Sequence, residues 1–209
     1  MIKALFLILR PGPTWERVAE NGRGMGFIFV FYLLPMLLVL AVAEGFGLVH
    51  WGVPQMGSGV IKKPTVNEAV TYEAAQSLLM LLVILIGTAL IKLQGETFHS
   101  RANYRQAFTV VAYGLSPLFL IQSLNVFPMP VWLTWSIGVL LALSTLYHGV
   151  PCVMRIDPTH ALGLYFMSSL MILVLTATER LVTAWYLSGH FMPLTNSISQ
   201  IAAKLPFGN

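Results

Sequence analysis

Four ionisable residues, Glu44, Glu73, Glu179 and Arg180, lie in otherwise apolar stretches of the chain. Charged groups at membrane depth are costly, so they usually pair across helices or line a cavity. Glu179 and Arg180 are adjacent and point about 100° apart on a helix, so their side chains cannot easily form an ion pair with each other. We therefore expect an interhelical ion pair between Arg180 and Glu44 or Glu73. A proton or ion pathway, or snorkelling of these side chains toward the membrane surface, is the alternative interpretation.

Two further pairs of residues are spaced by one helical turn. Tyr113 precedes Pro117, and the kink that a proline introduces predicts either a pocket beside the tyrosine or simple packing. Ser144 precedes His148, and this spacing predicts a polar seam between helices or a histidine hydrogen-bonded in the packing.

The sequence has none of the motifs that usually carry catalysis. It contains no G-x-S-x-G nucleophile elbow, P-loop, H-E-x-x-H or G-x-G-x-x-G pattern. The five histidines are not at metal-ligand spacing, and Cys152 is the only cysteine. The twelve Lys and Arg residues form no run longer than Lys62-Lys63, which disfavours nucleic acid as a partner. We therefore expect no enzymatic activity, no metal and no cofactor.

The composition is that of a membrane protein. Of 209 residues, 56% are hydrophobic and only 10% are charged, whereas soluble domains carry about 25% charged residues. A membrane-spanning helix needs about 20 apolar residues, and five stretches qualify, at about 25–48, 72–93, 106–126, 130–150 and 161–187. These predict an all-α polytopic helical bundle of about five transmembrane helices. Pro35 and Pro117 should kink the first and third spans, and Pro151 should close the fourth.

The two ends predict short helices that lie at the membrane surface. In the N-terminal segment, 1–24, Thr14 could cap a helix that places Trp15, Val18 and Ala19 on one face. The transmembrane domain covers 25–187. In the tail, 188–209, apolar residues over 196–205 have helical spacing and predict a second interfacial helix.

Lys and Arg residues are distributed unevenly between the two sides of this topology. One side has eight and the other has three, which by the positive-inside rule places the N-terminus in the cytoplasm and the C-terminus in the periplasm or outside. The eight are Lys3, Arg10, Arg17, Arg23, Lys92, Arg101, Arg105 and Arg155, and the three are Lys62, Lys63 and Lys204. The expected location is the cell inner membrane.

Three segments of the chain carry a pattern of motifs in a fixed order. They are the proline-bearing opening Leu7-Ile8-Leu9-Arg10-Pro11 with Thr14-Trp15-Glu16-Arg17, then Tyr104-Arg105-Gln106-Ala107-Phe108 with Ala112-Tyr113-Gly114 and Pro117, and then Leu146-Tyr147-His148-Gly149-Val150-Pro151 with Met154 and Ala161. In these segments and their order the chain resembles the bacterial branch of the Yip (Ypt-interacting protein) family. The family has no established enzymatic activity, and its eukaryotic members are linked to membrane traffic and membrane shaping. The resemblance implies an organising role in a membrane.

Together these observations predict a non-catalytic scaffold or accessory subunit that organises a membrane complex. Its expected partners are membrane lipids and other integral membrane proteins. Two alternatives remain open. One is a small transporter or channel that uses the buried charges, and the other is a membrane-shaping protein whose interfacial helices wedge the headgroup layer.

Overall fold

The computed structural model describes residues 2–54, 61–98, 100 and 102–187. Nine α-helices occur in this part of the chain: α1 (Ile2–Leu9), α2 (Pro11–Asn21), α3 (Met25–Ile28), α4 (Leu34–Trp51), α5 (Val66–Thr97), α6 (Tyr104–Gly114), α7 (Ser116–Gln122), α8 (Val131–Met154) and α9 (Pro158–Leu187). A π-helical turn, Phe29–Leu33, joins α3 to α4, and a 3₁₀ turn, Ser123–Val126, follows α7. Two short strands, β1 (Val53–Pro54) and β2 (Ile61–Lys62), pair antiparallel. The interfacial helix predicted over 196–205 lies outside the described residues.

The predicted five membrane spans are confirmed. Helical segments long and apolar enough to cross a membrane are Met25–Trp51, Val66–Thr97, Tyr104–Val126, Val131–Met154 and Pro158–Tyr186. The second begins six residues earlier than the hydropathy predicts, because Thr65 and Glu68 form a capping box that starts the helix before its apolar stretch.

The third span lies at the centre of the bundle. Every residue from Ala107 to Phe119 is buried, whereas the other spans keep exposed apolar side chains along one face. A helix that is covered on all sides is a core helix, and apolar side chains facing outward are solvated by lipid.

Prolines lie in three of the spans, and two of these spans are irregular beside them. Pro35 follows the π-helical turn, in which the Leu34 amide donates to the Phe29 carbonyl. Pro117 follows a break at Leu115 that separates α6 from α7. The expected irregularities in spans one and three are therefore present, because a proline cannot donate its backbone hydrogen bond. The prediction that Pro151 closes span four is wrong, since α8 continues through Pro151 to Met154.

The N-terminal helices pack against the bundle. α2 begins at Pro11, so Thr14 is not its cap, and the Thr14 hydroxyl instead donates to the Arg10 carbonyl at 2.7 Å. Trp15 is fully buried, and a methyl group placed on Gly149 would lie 2.5 Å from its Cε2 atom. The apolar face that was expected to contact lipid headgroups therefore contacts α8, and only a glycine at 149 allows this approach.

Candidate functional site

A cluster of buried polar side chains lies in the half of the bundle opposite the N-terminus. All five spans contribute to this group, called the polar cluster below. Its members are Glu44, Glu73, Gln76, Asn125, Thr134, Glu179 and Arg180, and all are at most 8% exposed.

Glu44 is the centre of the polar cluster. Its Oε1 atom lies 2.8 Å from Arg180 Nη2 on α9 and accepts a 2.6 Å hydrogen bond from Asn125 Nδ2 in the 3₁₀ turn. Its Oε2 atom accepts a hydrogen bond from Gln76 Nε2 on α5. Thr134 on α8 extends the network by donating to Asn125 Oδ1 at 2.7 Å. One carboxylate on α4 is therefore connected to every other span.

The surroundings of Glu44 compensate for the cost of its burial. A buried ion pair is tolerated only when additional hydrogen bonds satisfy the remaining lone pairs and protons. Three donors reach Glu44, one of them the guanidinium of Arg180. Hydrogen bonds to ionised groups are roughly twice as strong as neutral ones. The contact therefore holds α4 and α9 together in a region where hydrophobic burial from lipid provides little association energy.

Close backbone packing brings Asn125 to Glu44. A methyl group placed on Gly47, one turn after Glu44, would overlap the Asn125 backbone carbonyl. Glycine at this position therefore lets α4 lie directly against the 3₁₀ turn. Trp51, one turn further along α4, donates from its indole nitrogen to the Val126 carbonyl at 3.0 Å and holds the same turn.

The carboxyl groups of Glu73 and Glu179 have fewer hydrogen-bond partners than that of Glu44. Glu73 Oε1 and both carboxylate oxygens of Glu179 accept no hydrogen bond from the part of the chain that the structure describes. Glu179 approaches Arg180 Nε only to 3.7 Å, without a hydrogen bond. The polar cluster contains three carboxyl groups and one guanidinium, so it has two more acidic groups than Arg180 can balance.

The four ionisable residues predicted as ion-pair candidates thus lie in one region, where Glu44 is hydrogen-bonded to Arg180 and Glu179 lies 3.7 Å from it. Sequence reasoning missed Gln76, Asn125 and Thr134. Gln76 follows Glu73 by one helical turn in an apolar span, and Asn125 lies at the tip of the hairpin between spans three and four. A search for uncharged polar residues at membrane depth would have found them, because such residues commonly hydrogen-bond across helices.

The other predicted candidates have separate surroundings. Tyr113 is buried with its ring centroid 4.2 Å from that of Tyr32, whose hydroxyl forms a 2.5 Å hydrogen bond with Ser116 Oγ. Pro117 is also buried beside the break in span three. Tyr113 therefore packs in an aromatic group, and it also borders a cavity described below.

Ser144 and His148 are exposed on α8 and do not form a seam between helices. His148 lies at the edge of a groove that Gly12, Tyr147 and Tyr165 also line. His148 Nδ1 lies 3.4 Å from the Ser144 carbonyl, a contact within one helix.

Comparison with known families agrees with this architecture. The Yip1 domain family matches residues 5–178, which is most of the chain. The chain belongs to the Yip family. It is accordingly a multi-pass membrane protein of that family. The match includes Glu44 and Glu73 and ends one residue before Glu179. Comparisons with curated proteins and with solved structures found no match.

Proposed function

We propose that this Yip-family protein is a non-catalytic scaffold or accessory subunit that organises other integral membrane proteins. In this proposal the N-terminus is cytoplasmic and the C-terminus lies outside the cell inner membrane. The observation that carries the proposal is the polar cluster, in which Glu44 is linked to all four other spans.

A scaffold must present the same surface to its partners at all times. Helix association in lipid relies on packing and on interhelical hydrogen bonds, which are individually weak. A carboxylate with three side-chain donors fixes the rotation of α4 relative to its neighbours. The apolar faces of α4, α5 and α9 then keep a constant geometry, and side chains such as Leu38, Leu78 and Leu170 on these faces are exposed to lipid or to a partner helix.

Extraction into native lipid particles, followed by crosslinking and mass spectrometry, tests the proposal. We expect specific integral membrane proteins to be crosslinked to the wild type. Glu44→Gln should reduce this capture, because it loosens the geometry of the bundle. Glu96→Gln is the matched control, since Glu96 pairs with Lys92 at 3.2 Å on an exposed part of α5. A protein that remains alone under several mild conditions would contradict a scaffold role.

A second candidate function is supported by Glu73 and Glu179. Buried carboxyl groups in a membrane often serve proton or ion movement, and Glu73 Oε1 and both Glu179 oxygens accept no hydrogen bond in the described chain. A small transporter would therefore use these two groups, with Arg180 holding the bundle. Ion flux in proteoliposomes that disappears in Glu179→Gln would favour this candidate over the scaffold. Membrane shaping has less support, because the apolar face of Trp15 packs on α8 and is not available to wedge lipid.

A further inference from the structure

A second polar feature lies at the opposite end of the bundle from the polar cluster. It is a cavity of about 190 Å³ between the end of α2, the start of α6 and the end of α8. This volume is several times the roughly 30 Å³ that a water molecule occupies in the liquid. Tyr113 and Ile28, from the third and first spans, are among its lining residues.

Three arginines line this cavity. Arg23 lies two residues before the first span, Arg105 is the second residue of the third span, and Arg155 directly follows the fourth. All three are exposed, and none forms an ion pair with a carboxylate in the described part of the chain. The described lining residues include no Asp or Glu. The cavity therefore has three arginines in its lining at the level where the spans leave the membrane, and the Arg23 guanidinium also lies over the Phe27 ring, 4.7 Å from its centroid.

Neutral hydrogen-bonding groups of the cavity are fixed in place. Gln106 donates to the Val153 carbonyl at 3.1 Å and accepts from the Asn103 amide at 2.9 Å, which ties the start of α6 to the end of α8. The Asn103 side chain in turn accepts from the Gln106 amide at 3.0 Å. The start of α6 carries partial positive charge, whereas the ends of α2 and α8 carry partial negative charge. The lining is therefore an ordered frame whose positive charge comes from its arginines.

Backbone conformations at the rim support the same interpretation. Gly22 ends α2 with φ +46°, and a methyl group placed there would lie 3.2 Å from Arg105 Nη2, so the guanidinium lies directly over this glycine. Arg155 ends α8 with φ 49° and is the non-glycine residue with positive φ in the described chain. Glycine would adopt this conformation at lower cost. Arginine at this position instead adds charge to the cavity.

We propose that the cavity binds a phosphate group, and that the group belongs to an anionic lipid headgroup of the adjacent leaflet. Guanidinium groups bind phosphate through paired hydrogen bonds. Basic pockets between membrane helices are suited to anionic headgroups because they lie at the depth of the lipid phosphates. The positive-inside rule accounts for arginines on this side of the membrane. It does not require three of them to share one cavity.

The experiment uses the purified full chain in phosphatidylcholine nanodiscs, with and without phosphatidylglycerol. Native mass spectrometry measures the lipid that stays bound, and thermal unfolding measures stability. We expect phosphatidylglycerol to be retained over phosphatidylcholine by about tenfold or more. Arg105→Gln should lower this preference by about tenfold, because it removes one charged hydrogen-bonding group. Arg17→Gln is the matched control, since Arg17 is an exposed arginine of α2 that does not line the cavity.

The variant Arg155→Gly distinguishes a role of Arg155 in lipid binding from a role in folding. It removes a charge and also relieves the left-handed backbone, so the variant should lose lipid preference while its thermal stability in pure phosphatidylcholine is unchanged or higher. A variant that loses both would indicate a structural role for Arg155 and contradict the proposal.

A further arm identifies the source of the phosphate. Inorganic phosphate is titrated into the protein in pure phosphatidylcholine. Arginine-dependent stabilisation by phosphatidylglycerol alone supports a lipid ligand, whereas stabilisation by inorganic phosphate alone supports the phosphate site but overturns the lipid assignment. If Arg105→Gln and Arg155→Gly behave as Arg17→Gln does in every arm, the cavity is not a phosphate site.

Discussion

The contact between Arg180 and Glu44 permits a quantitative test of how the bundle is held together. Both side chains are about 95% buried, since their exposed fractions are 4% and 5%. Removing one member of a buried ion pair commonly costs about 3 to 5 kcal/mol, because the other charge is left uncompensated. We expect Glu44→Gln to destabilise the protein by this amount, because it leaves the guanidinium without its 2.8 Å acceptor and disturbs the bonds to Gln76 and Asn125.

Arg180→Met should cost less, about 1 to 3 kcal/mol. In this variant Glu44 keeps the amide donors of Gln76 and Asn125, so its carboxylate is still partly satisfied. The double variant has no buried charge to compensate at these two positions. Its loss should therefore be smaller than the sum of the single losses by at least about 1.5 kcal/mol.

Unfolding by sodium dodecyl sulfate in mixed micelles, followed by circular dichroism, gives the free energies of the wild type and the three variants. The matched control is the exposed pair Lys92 and Glu96, for which a coupling of less than about 0.5 kcal/mol is expected. If the losses for Arg180 and Glu44 add to within about 0.5 kcal/mol, the two residues are energetically independent. That result would refute the reasoning that their contact holds α4 to α9.

Two other predictions concern packing and orientation. Gly47→Ala should destabilise the protein by about 1 to 3 kcal/mol, because the added methyl group overlaps the Asn125 carbonyl, whereas Gly26→Ala, where the methyl group meets nothing within 4 Å, should be neutral in the same unfolding assay. A cysteine placed at Ser58 in a Cys152→Ser background should react with an impermeant thiol reagent from outside the cell, since the distribution of Lys and Arg places the loop after the first span there. Labelling only from the cytoplasm would reverse the proposed orientation.

The number and approximate limits of the membrane spans follow from the sequence alone. Apolar stretches of about 20 residues can satisfy their backbone in lipid only as helices, so composition and length determine this part of the fold. The same reasoning favours a carboxylate partner for Arg180, because an unpaired charge in hydrocarbon is costly. The second span's early start also has a local signal, the Thr65 and Glu68 capping box.

Tertiary structure decided which groups meet. Arg180 and Glu44 are 136 positions apart, and hydropathy does not determine the rotation of one membrane helix against another. Glu44 rather than Glu73 hydrogen-bonds Arg180, and Gly47 lets α4 approach the 3₁₀ turn, where Asn125 supplies Glu44 with a second donor. The sequence also did not show whether Trp15 faces lipid or is buried against protein. An amphipathic face can contact lipid or protein equally well, and the glycine that faces Trp15 on α8 allows it to pack against protein.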